Sequence, residues 1–253
     1  MSPPGSSVTC MISEVRDKTV APDLVDAVVA RCFSELGETA TWLNPEGYPD
    51  GLALCIIDSI WSLGVRYESH VVPVLNRYRT MRREAGADPS KDGTRELLSV
   101  AHALGAGGGF ADALKNHQRT STKAGAPLKA EAIIQVARAL LDAGIDSAED
   151  FRRAIGENPK VIEELWRVTP GQGSSDIGWR YVQLLAGADE VKPDRMINRF
   201  LSDSGASGLS PSESAALVRA AASRLNVPAR VLDHAIWRHE SARRRRRRKV
   251  VVR

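Results

Sequence analysis

The 253 residues carry a formal net charge of +4, and 43% are hydrophobic and 26% charged, which is ordinary for a globular protein. No apolar run reaches the ~20 residues that span a bilayer, and the first ten residues lack the charged start and apolar core of a signal peptide. Three widely spaced cysteines and scattered histidines give neither a disulfide framework nor metal-ligand spacing. The sequence therefore predicts a cytoplasmic protein with reduced thiols.

The positive charge is concentrated at one end of the chain. Residues 243–249 read RRRRRRK and Arg253 adds an eighth charge, so residues 1–242 sum to −4. Because like charges repel and no apolar residue separates them, this pattern predicts a solvated, disordered tail. Such a tail is a non-specific contact for nucleic-acid phosphates. Localisation signals and contacts with RNA or membrane surfaces can have the same composition.

Helical periodicity runs through the rest of the chain. Residues 22–36 place an apolar side chain every four positions, and Gly37 supplies the stop. Residues 79–93 are predicted to form a loop, and the glycine run at 105–109 is predicted to end a helix. The predicted helices lie at residues 22–36, 52–63, 71–78, 97–104, 129–141, 147–155, 159–168, 174–186, 211–225 and from 228 onward. No segment alternates with period two over strand length, so the predicted fold class is all-α.

The stretch RVTPGQGSSDIGW, residues 167–179, interrupts this pattern. Pro170 ends the preceding helix, while Gly171 and Gly173 allow backbone amides to approach a ligand closely. With the N-terminus of the next helix, these amides would form a phosphate site. A tight connector between two packed helices explains the local sequence equally well. A dinucleotide-binding loop does not, because Asp176 occupies its third glycine position and the preceding segment has helical periodicity.

Several segments together resemble the helix-hairpin-helix DNA glycosylase superfamily (the HhH-GPD fold). The segment VTPGQGSSDIGWRYVQLL followed by VKPDRMINRF is similar to that family's hairpin and catalytic segment. KAEAIIQVARALL, from Lys129, resembles its Lys-Ala helix, and DSIWSLGVRYESHVVPVLNRY resembles its first barrel helices. The similarity covers about residues 52–201. The resemblance implies two helical subdomains that carry a helix-hairpin-helix motif.

The resemblance also implies a domain layout. Residues 1–19 would be a flexible N-terminus, and residues 20–54 would pack with the C-terminal helices. Residues 55–168 would form the barrel subdomain, and residues 160–186 the helix-hairpin-helix. Residues 187–240 would hold the catalytic aspartate segment and the C-terminal helices, and residues 241–253 the basic tail.

In such a fold, Asp194 would be the catalytic carboxylate. It would stabilise the positive charge that develops on the sugar when an N-glycosidic bond breaks, and it would orient or deprotonate a water. The alternative role for Asp194, capping the next helix, is compatible with catalysis. Ser175 occupies the position of the Schiff-base lysine in family members that cut the backbone, so lyase activity is not expected. No cysteine follows Cys55, so no iron–sulfur cluster is expected.

The target base would leave the stack and enter a pocket between the two subdomains. Amide and guanidinium groups can read base edges, and aromatic rings can stack on a base. The pocket candidates are Trp61, Tyr67, Asn116, Gln118 and Arg119; core packing for the two aromatic residues and a solvated loop for the others is an equally good interpretation. The expected DNA contacts are Thr169, Gly171, Gly173, Ser174, Ser175, Arg199, Lys129, Arg243, Arg244 and Arg245.

These observations predict a monofunctional DNA glycosylase that flips and excises a damaged or modified base and leaves an abasic site. Its use could be DNA repair or defence against modified phage DNA. The expected partner is double-stranded DNA, with no membrane and a monomeric protein. No cofactor is expected, apart from a monovalent cation at the hairpin. The alternative is a non-catalytic DNA-binding protein that uses the hairpin and the arginine tail. A helical scaffold for protein partners would leave both of these features unexplained.

Overall fold

A computed structural model describes residues 21–168 and 177–251, with side chains up to residue 244. Apart from one isolated bridge between Arg119 and Leu128, the described residues contain no β-structure. The all-α prediction is confirmed. The helices are α1 (Pro22–Leu36), α2 (Leu52–Trp61), α3 (Val72–Glu84), α4 (Thr94–Ala103), α5 (Ala106–Ala113), α6 (Lys129–Asp142), α7 (Ala148–Glu157), α8 (Pro159–Trp166), α9 (Ile177–Leu185), α10 (Arg195–Asp203), α11 (Pro211–Arg224) and α12 (Ala229–Val251). No described helix has both the length and the apolar composition to cross a membrane.

The helices surround two hydrophobic cores. The first core lies around α2, whose ten residues are all buried, and takes side chains from α3 to α9. The second core lies between α1, α10, α11 and α12. The chain therefore enters the second core with α1, crosses to the first core by Leu52, and returns after α9.

Local sequence signals explain many helix ends. Ser147 and Ser210 each accept a hydrogen bond from the third backbone amide of the helix that they precede, as predicted for N-caps. Pro22 and Pro211 stand at the first position of their helices, where a proline loses no helical hydrogen bond. Gly37 follows α1 with a φ of 72°, a backbone conformation that suits glycine.

One loop prediction was wrong, and one helix was missed. Helix α3 continues to Glu84, within the stretch predicted as a loop, and Arg82 makes a bidentate ion pair with the buried Asp92. The glycine run ends α4 as predicted, since Gly105 follows that helix with a φ of 90°; a further helix that the sequence did not predict, α5, then includes three of these glycines. A Cβ on Gly107 would lie 2.4 Å from the Glu131 side chain of α6. These glycines therefore allow α5 and α6 to pack closely, and close packing outweighs their poor helix propensity.

The basic tail also differs from its prediction. Helix α12 runs without a break from the second core to Val251, so the prediction of a disordered tail was wrong up to that residue. The first turns of α12 are packed in the core and supply the helix nucleus, so each further residue adds only a propagation step. Arginine is a good helix former, and positive charge is favoured near a helix C-terminus.

Candidate active site at the junction of the two cores

A buried carboxylate lies within the first core, in contact with three tyrosines. Asp58, on α2, is 0% exposed and accepts hydrogen bonds from three tyrosine hydroxyls. The hydroxyls of Tyr48 and Tyr67 donate to Oδ2 at 2.8 and 2.7 Å, and that of Tyr181 donates to Oδ1 at 3.2 Å. We call these four residues the Asp58 cluster. The three tyrosines are only half-buried, so the cluster lies beneath a partly exposed aromatic surface.

Each tyrosine reaches Asp58 from a different segment. Tyr67 begins a single π-helical turn, Tyr67–Val71, between α2 and α3. Tyr181 lies on α9. The backbone amide of Tyr48 donates to the carbonyl of Leu185 at 2.6 Å. Gly47 makes this approach possible, because its φ is 52° and a Cβ there would lie 2.5 Å from the same carbonyl oxygen.

Lys192 connects the Asp58 cluster to the second core. Its Nζ lies 3.3 Å from the centre of the Tyr181 ring, and its backbone amide donates to Oδ1 of Asp233, on α12, at 2.9 Å. Burial lowers the pKa of the Lys192 amine, while the charges of Asp194, Asp58 and Asp233 act in the opposite direction. Lys192 therefore lies among three carboxylates at the junction of the two cores.

The protonation states follow from this geometry. Burial raises the pKa of Asp58, whereas the tyrosine hydroxyls and Lys192 act to lower it. Burial and the charge of Asp58 raise the pKa values of Tyr48, Tyr67 and Tyr181, so these hydroxyls stay protonated and donate. Burial raises the pKa of Asp233 to about 8. That carboxyl is therefore largely protonated at neutral pH.

Asp194 lies two residues after Lys192 and forms the N-cap of α10. Its Oδ1 accepts from the backbone amides of Met196 and Ile197 at 2.7 and 3.4 Å, so the capping role holds. The carboxylate is half-buried and is fixed by these two amides. Arg199, one turn further along α10, pairs with Glu240 at 3.3 Å and keeps 43% of its side chain exposed.

The other predicted site residues are placed as follows. Trp61 is fully buried in the first core. Asn116, Gln118 and Arg119 lie in the connection between α5 and α6, where Asn116 accepts from the amide of Gln118 and Arg119 donates to the carbonyl of Ala126. Of the five pocket candidates, only Tyr67 belongs to the Asp58 cluster.

Lys129 is not a surface contact. It is 1% exposed, and its Nζ donates to the carbonyls of Trp61 and Leu63, both at 2.8 Å, at the end of α2. Burial lowers the pKa of this amine to about 8. Lys129 therefore holds the end of α2 and is not available to a phosphate in this structure.

The remaining predicted DNA contacts are only partly described. Thr169, Gly171, Gly173, Ser174 and Ser175 lie outside the described residues, as does the side chain of Arg245. Arg243 pairs with Asp203 at 2.5 Å and with Glu240 at 3.1 Å, which attaches the start of the arginine run to α10.

Sequence reasoning missed Asp58, Tyr48, Tyr181 and Lys192. One signal was present: Asp58 is the only charged residue in LALCIIDSIW, a helix that is apolar on nearly every face. A charged residue in such a helix must find partners, because burying an unpaired charge is costly.

Comparison with known families assigns the chain to one of them. A family model described as "Domain of unknown function (DUF8548)" matches residues 26–241. The chain belongs to this family. The DUF8548 match spans both cores, the Asp58 cluster and Asp194, and it ends before the arginine run. The comparisons with curated proteins and with solved structures found no match.

Proposed function

We propose that the protein is a monofunctional DNA glycosylase that flips a damaged or modified base out of duplex DNA and hydrolyses its N-glycosidic bond. The observation that carries this proposal is the position of Asp194. It is a half-buried carboxylate, fixed by two amides, at the junction of the two cores. The partly exposed aromatic surface of the Asp58 cluster lies beside the same loop.

The reaction requires little from the protein beyond charge and position. As the bond from C1′ to the base breaks, positive charge grows on the sugar, and a nearby carboxylate stabilises it. The same carboxylate can take a proton from the attacking water. Because Ser175 has no amine, the product would be an abasic site in an intact strand.

The DNA contacts in this proposal are the glycine hairpin and the arginine run. Backbone amides around Gly171 and Gly173 would bind phosphates of any sequence. The arginine run would add contacts that weaken with salt. These contacts alone would serve a non-catalytic DNA-binding protein, the alternative function, which has no use for a fixed carboxylate near phosphates.

The test is base release from oligonucleotides that each carry one modified base, followed by alkaline cleavage at abasic sites. In Asp194→Asn, release should fall by about 10²–10³-fold, since a charge aimed at the transition state is removed. DNA affinity should persist or rise slightly. The matched control is Asp88→Asn, because Asp88 also accepts from the amide two residues ahead of it, in Ser90, and should leave release unchanged.

Three outcomes distinguish the functions. Release that depends on Asp194, without strand breaks before alkali and without an adduct trapped by borohydride, supports a monofunctional glycosylase. DNA binding without release of any base supports the non-catalytic alternative. Full activity of Asp194→Asn would remove Asp194 from the mechanism.

A further inference from the structure

Helices α10 and α12 lie side by side and run in the same direction. Three contacts along the pair join the amide of Lys192 to Asp233 at 2.9 Å, Arg199 to Glu240 at 3.3 Å, and Asp203 to Arg243 at 2.5 Å. Each contact lies further along both segments of the chain than the one before it. The two helices therefore have their C-terminal ends together, where the arginine run begins.

Asp194 lies at the opposite end of this helix pair. Its Oδ1 accepts from the amides of Met196 and Ile197, which places the carboxylate at the N-terminal end of α10. Helix α10 is nine residues long, so at 1.5 Å per residue its two ends are about 14 Å apart. In the proposed reaction the sugar contacts the Asp194 carboxylate. The DNA that carries the target base would therefore lie at the N-terminal end of the pair.

Beyond Arg243, α12 continues past the end of α10. It remains helical to Val251, and these eight residues add about 12 Å. Measured along the helix axes, the end of α12 is about 26 Å from Asp194. Because α12 is one continuous helix, this extension points away from Asp194 and cannot turn back toward it unless the helix breaks.

The extension carries a dense positive charge, and we call its residues 245–251 the arginine arm. Residues 245–249 read RRRRK and supply five positive charges, and the DUF8548 match ends before them, at residue 241. Successive residues of an α-helix lie about 100° apart around its axis. Five consecutive charged residues therefore surround the helix and leave no apolar face over that length.

This distribution of charge fits a groove between phosphates. The major groove of duplex DNA is about 12 Å wide and admits one α-helix, with a phosphate backbone on each side of it. A helix that lies on a membrane surface needs an apolar face, which residues 245–249 lack. The major groove of duplex RNA is too narrow for side chains to read. Duplex DNA is therefore the partner that the arm fits best.

We propose that the arginine arm binds a second duplex DNA in its major groove, while the duplex with the target base lies at the Asp194 end of α10. The position of that first duplex rests on the proposed glycosylase function. One protein molecule would then hold two DNA segments at once. Since phosphate contacts carry no sequence information, the arm would hold any segment. A molecule held on one segment by its arm would still present Asp194 to another.

The first experiment measures whether one duplex captures another. A biotinylated duplex is bound to beads, and a fluorescent duplex is added with the protein. The full chain should retain at least about 10-fold more fluorescence than a chain without residues 245–253, which loses the phosphate contacts of the arm. The shortened chain should still bind the beads through its other site. If it does not, the arm is the only DNA site and the inference is overturned.

Two controls accompany the capture experiment. Replacing the arginines at 245–248 with lysine keeps both the charge and a good helix former, so capture should stay within about threefold of the wild type. Light scattering after size-exclusion chromatography should show a monomer in each preparation, because a dimer would join two duplexes without an arm. Retention that requires a dimer would overturn the inference.

A second variant tests the direction of the arm. A flexible insertion of about 20 glycine and serine residues after Arg244 spans about 25 Å, which lets the arm turn back toward Asp194. Both sites would then act on the same duplex. Binding of a single duplex should tighten at least about 10-fold, and capture of the second should fall. Unchanged or weaker binding would mean that the arm of the wild type already reaches the first duplex, which would overturn the inference.

The outcomes separate this inference from the proposed function. Capture that depends on the arm, by a protein that releases no base, would support two DNA sites and the non-catalytic alternative. Base release without capture would overturn the inference and leave the glycosylase function standing. Competition experiments identify the partner of the arm. If duplex RNA or anionic lipid vesicles displace the fluorescent duplex more effectively than duplex DNA does, the arm has a different partner and the inference is wrong.

Discussion

Replacing Asp58 with asparagine tests how much the Asp58 cluster contributes to the stability of the fold. The carboxylate accepts three hydroxyl hydrogen bonds of 2.7–3.2 Å, and its charge acts on Lys192 together with those of Asp194 and Asp233. Asparagine keeps one acceptor oxygen but turns an amino group toward at least one hydroxyl proton. A hydrogen bond to a charged group contributes about 1.5–3 kcal/mol.

The expected loss follows from these contacts. At least one charged hydrogen bond disappears and Lys192 loses a partner, while relief of the buried charge at Asp58 offsets part of the cost. We expect the free energy of unfolding to fall by about 3 kcal/mol, measured by urea denaturation at pH 7. Asp112→Asn is the control, since 74% of that side chain is exposed. Loss of the Asp112 charge should change the free energy of unfolding by less than about 0.5 kcal/mol.

A double-mutant cycle between Asp58→Asn and Tyr181→Phe isolates the hydrogen bond to Oδ1, because asparagine best keeps its oxygen at the Oδ2 position, where two hydroxyls donate. We expect a coupling energy of about 1–2 kcal/mol, because both changes remove the same contact. A fall below about 1 kcal/mol for Asp58→Asn, with no coupling to Tyr181, would refute the account of a carboxyl group that accepts three hydroxyl hydrogen bonds.

Three further changes test other parts of the molecule. Deleting residues 245–253 leaves Arg243 paired with Asp203. The deletion should weaken DNA binding and make the affinity less dependent on salt concentration. If the affinity depends on salt as it does in the full chain, the tail is not a DNA contact. Lys129→Met should lower the free energy of unfolding by about 2 kcal/mol, since two buried carbonyls lose their donor, and DNA affinity per folded molecule should not change. Asp233 has a raised pKa of about 8, so between about pH 4 and 8 the native state keeps a proton that the unfolded state loses. The free energy of unfolding should therefore fall as the pH rises through this range, by up to about 1.4 kcal/mol per pH unit. Urea titrations across that range should show a smaller slope for Asp233→Asn.

The helices could be predicted from sequence because their signals are local. The apolar repeat of residues 22–36, with Gly37 after it, predicts the bounds of α1 that the structure has. Ser210 and Pro211 similarly predict the start of α11. Each of these signals lies within one or two helical turns of the residue that it determines.

The errors arose where distant contacts overrule local preference. Helix α5 was missed: Gly107 lies within it and leaves room for Glu131, and residue spacing in the chain gives no sign of that contact. The arginine run is helical because α12 is already formed in the second core. In both cases tertiary packing outweighs the intrinsic preference of the segment.

The candidate site was only partly predictable for the same reason. Asp194 is predicted from the resemblance of the segment around it to the glycosylase superfamily, and its catalytic role stays a prediction. The Asp58 cluster joins residues that are 9, 10 and 123 positions from Asp58, and Lys192 meets it through the packing of the two cores. Contacts of this kind leave no periodicity or motif in the sequence.

The loop that carries Lys192 is attached to α12 by its backbone, and this has a kinetic consequence. The amide of Lys192 donates to Asp233, the amide of Arg230 donates to Asp189, and the Arg230 guanidinium donates to the carbonyl of Gly187. Neither amide can exchange its hydrogen with solvent unless the loop separates from the start of α12. The two amides should therefore report the same free energy of opening. The loop would open only as often as its contacts with the start of α12 break together, and would not fluctuate independently of that helix.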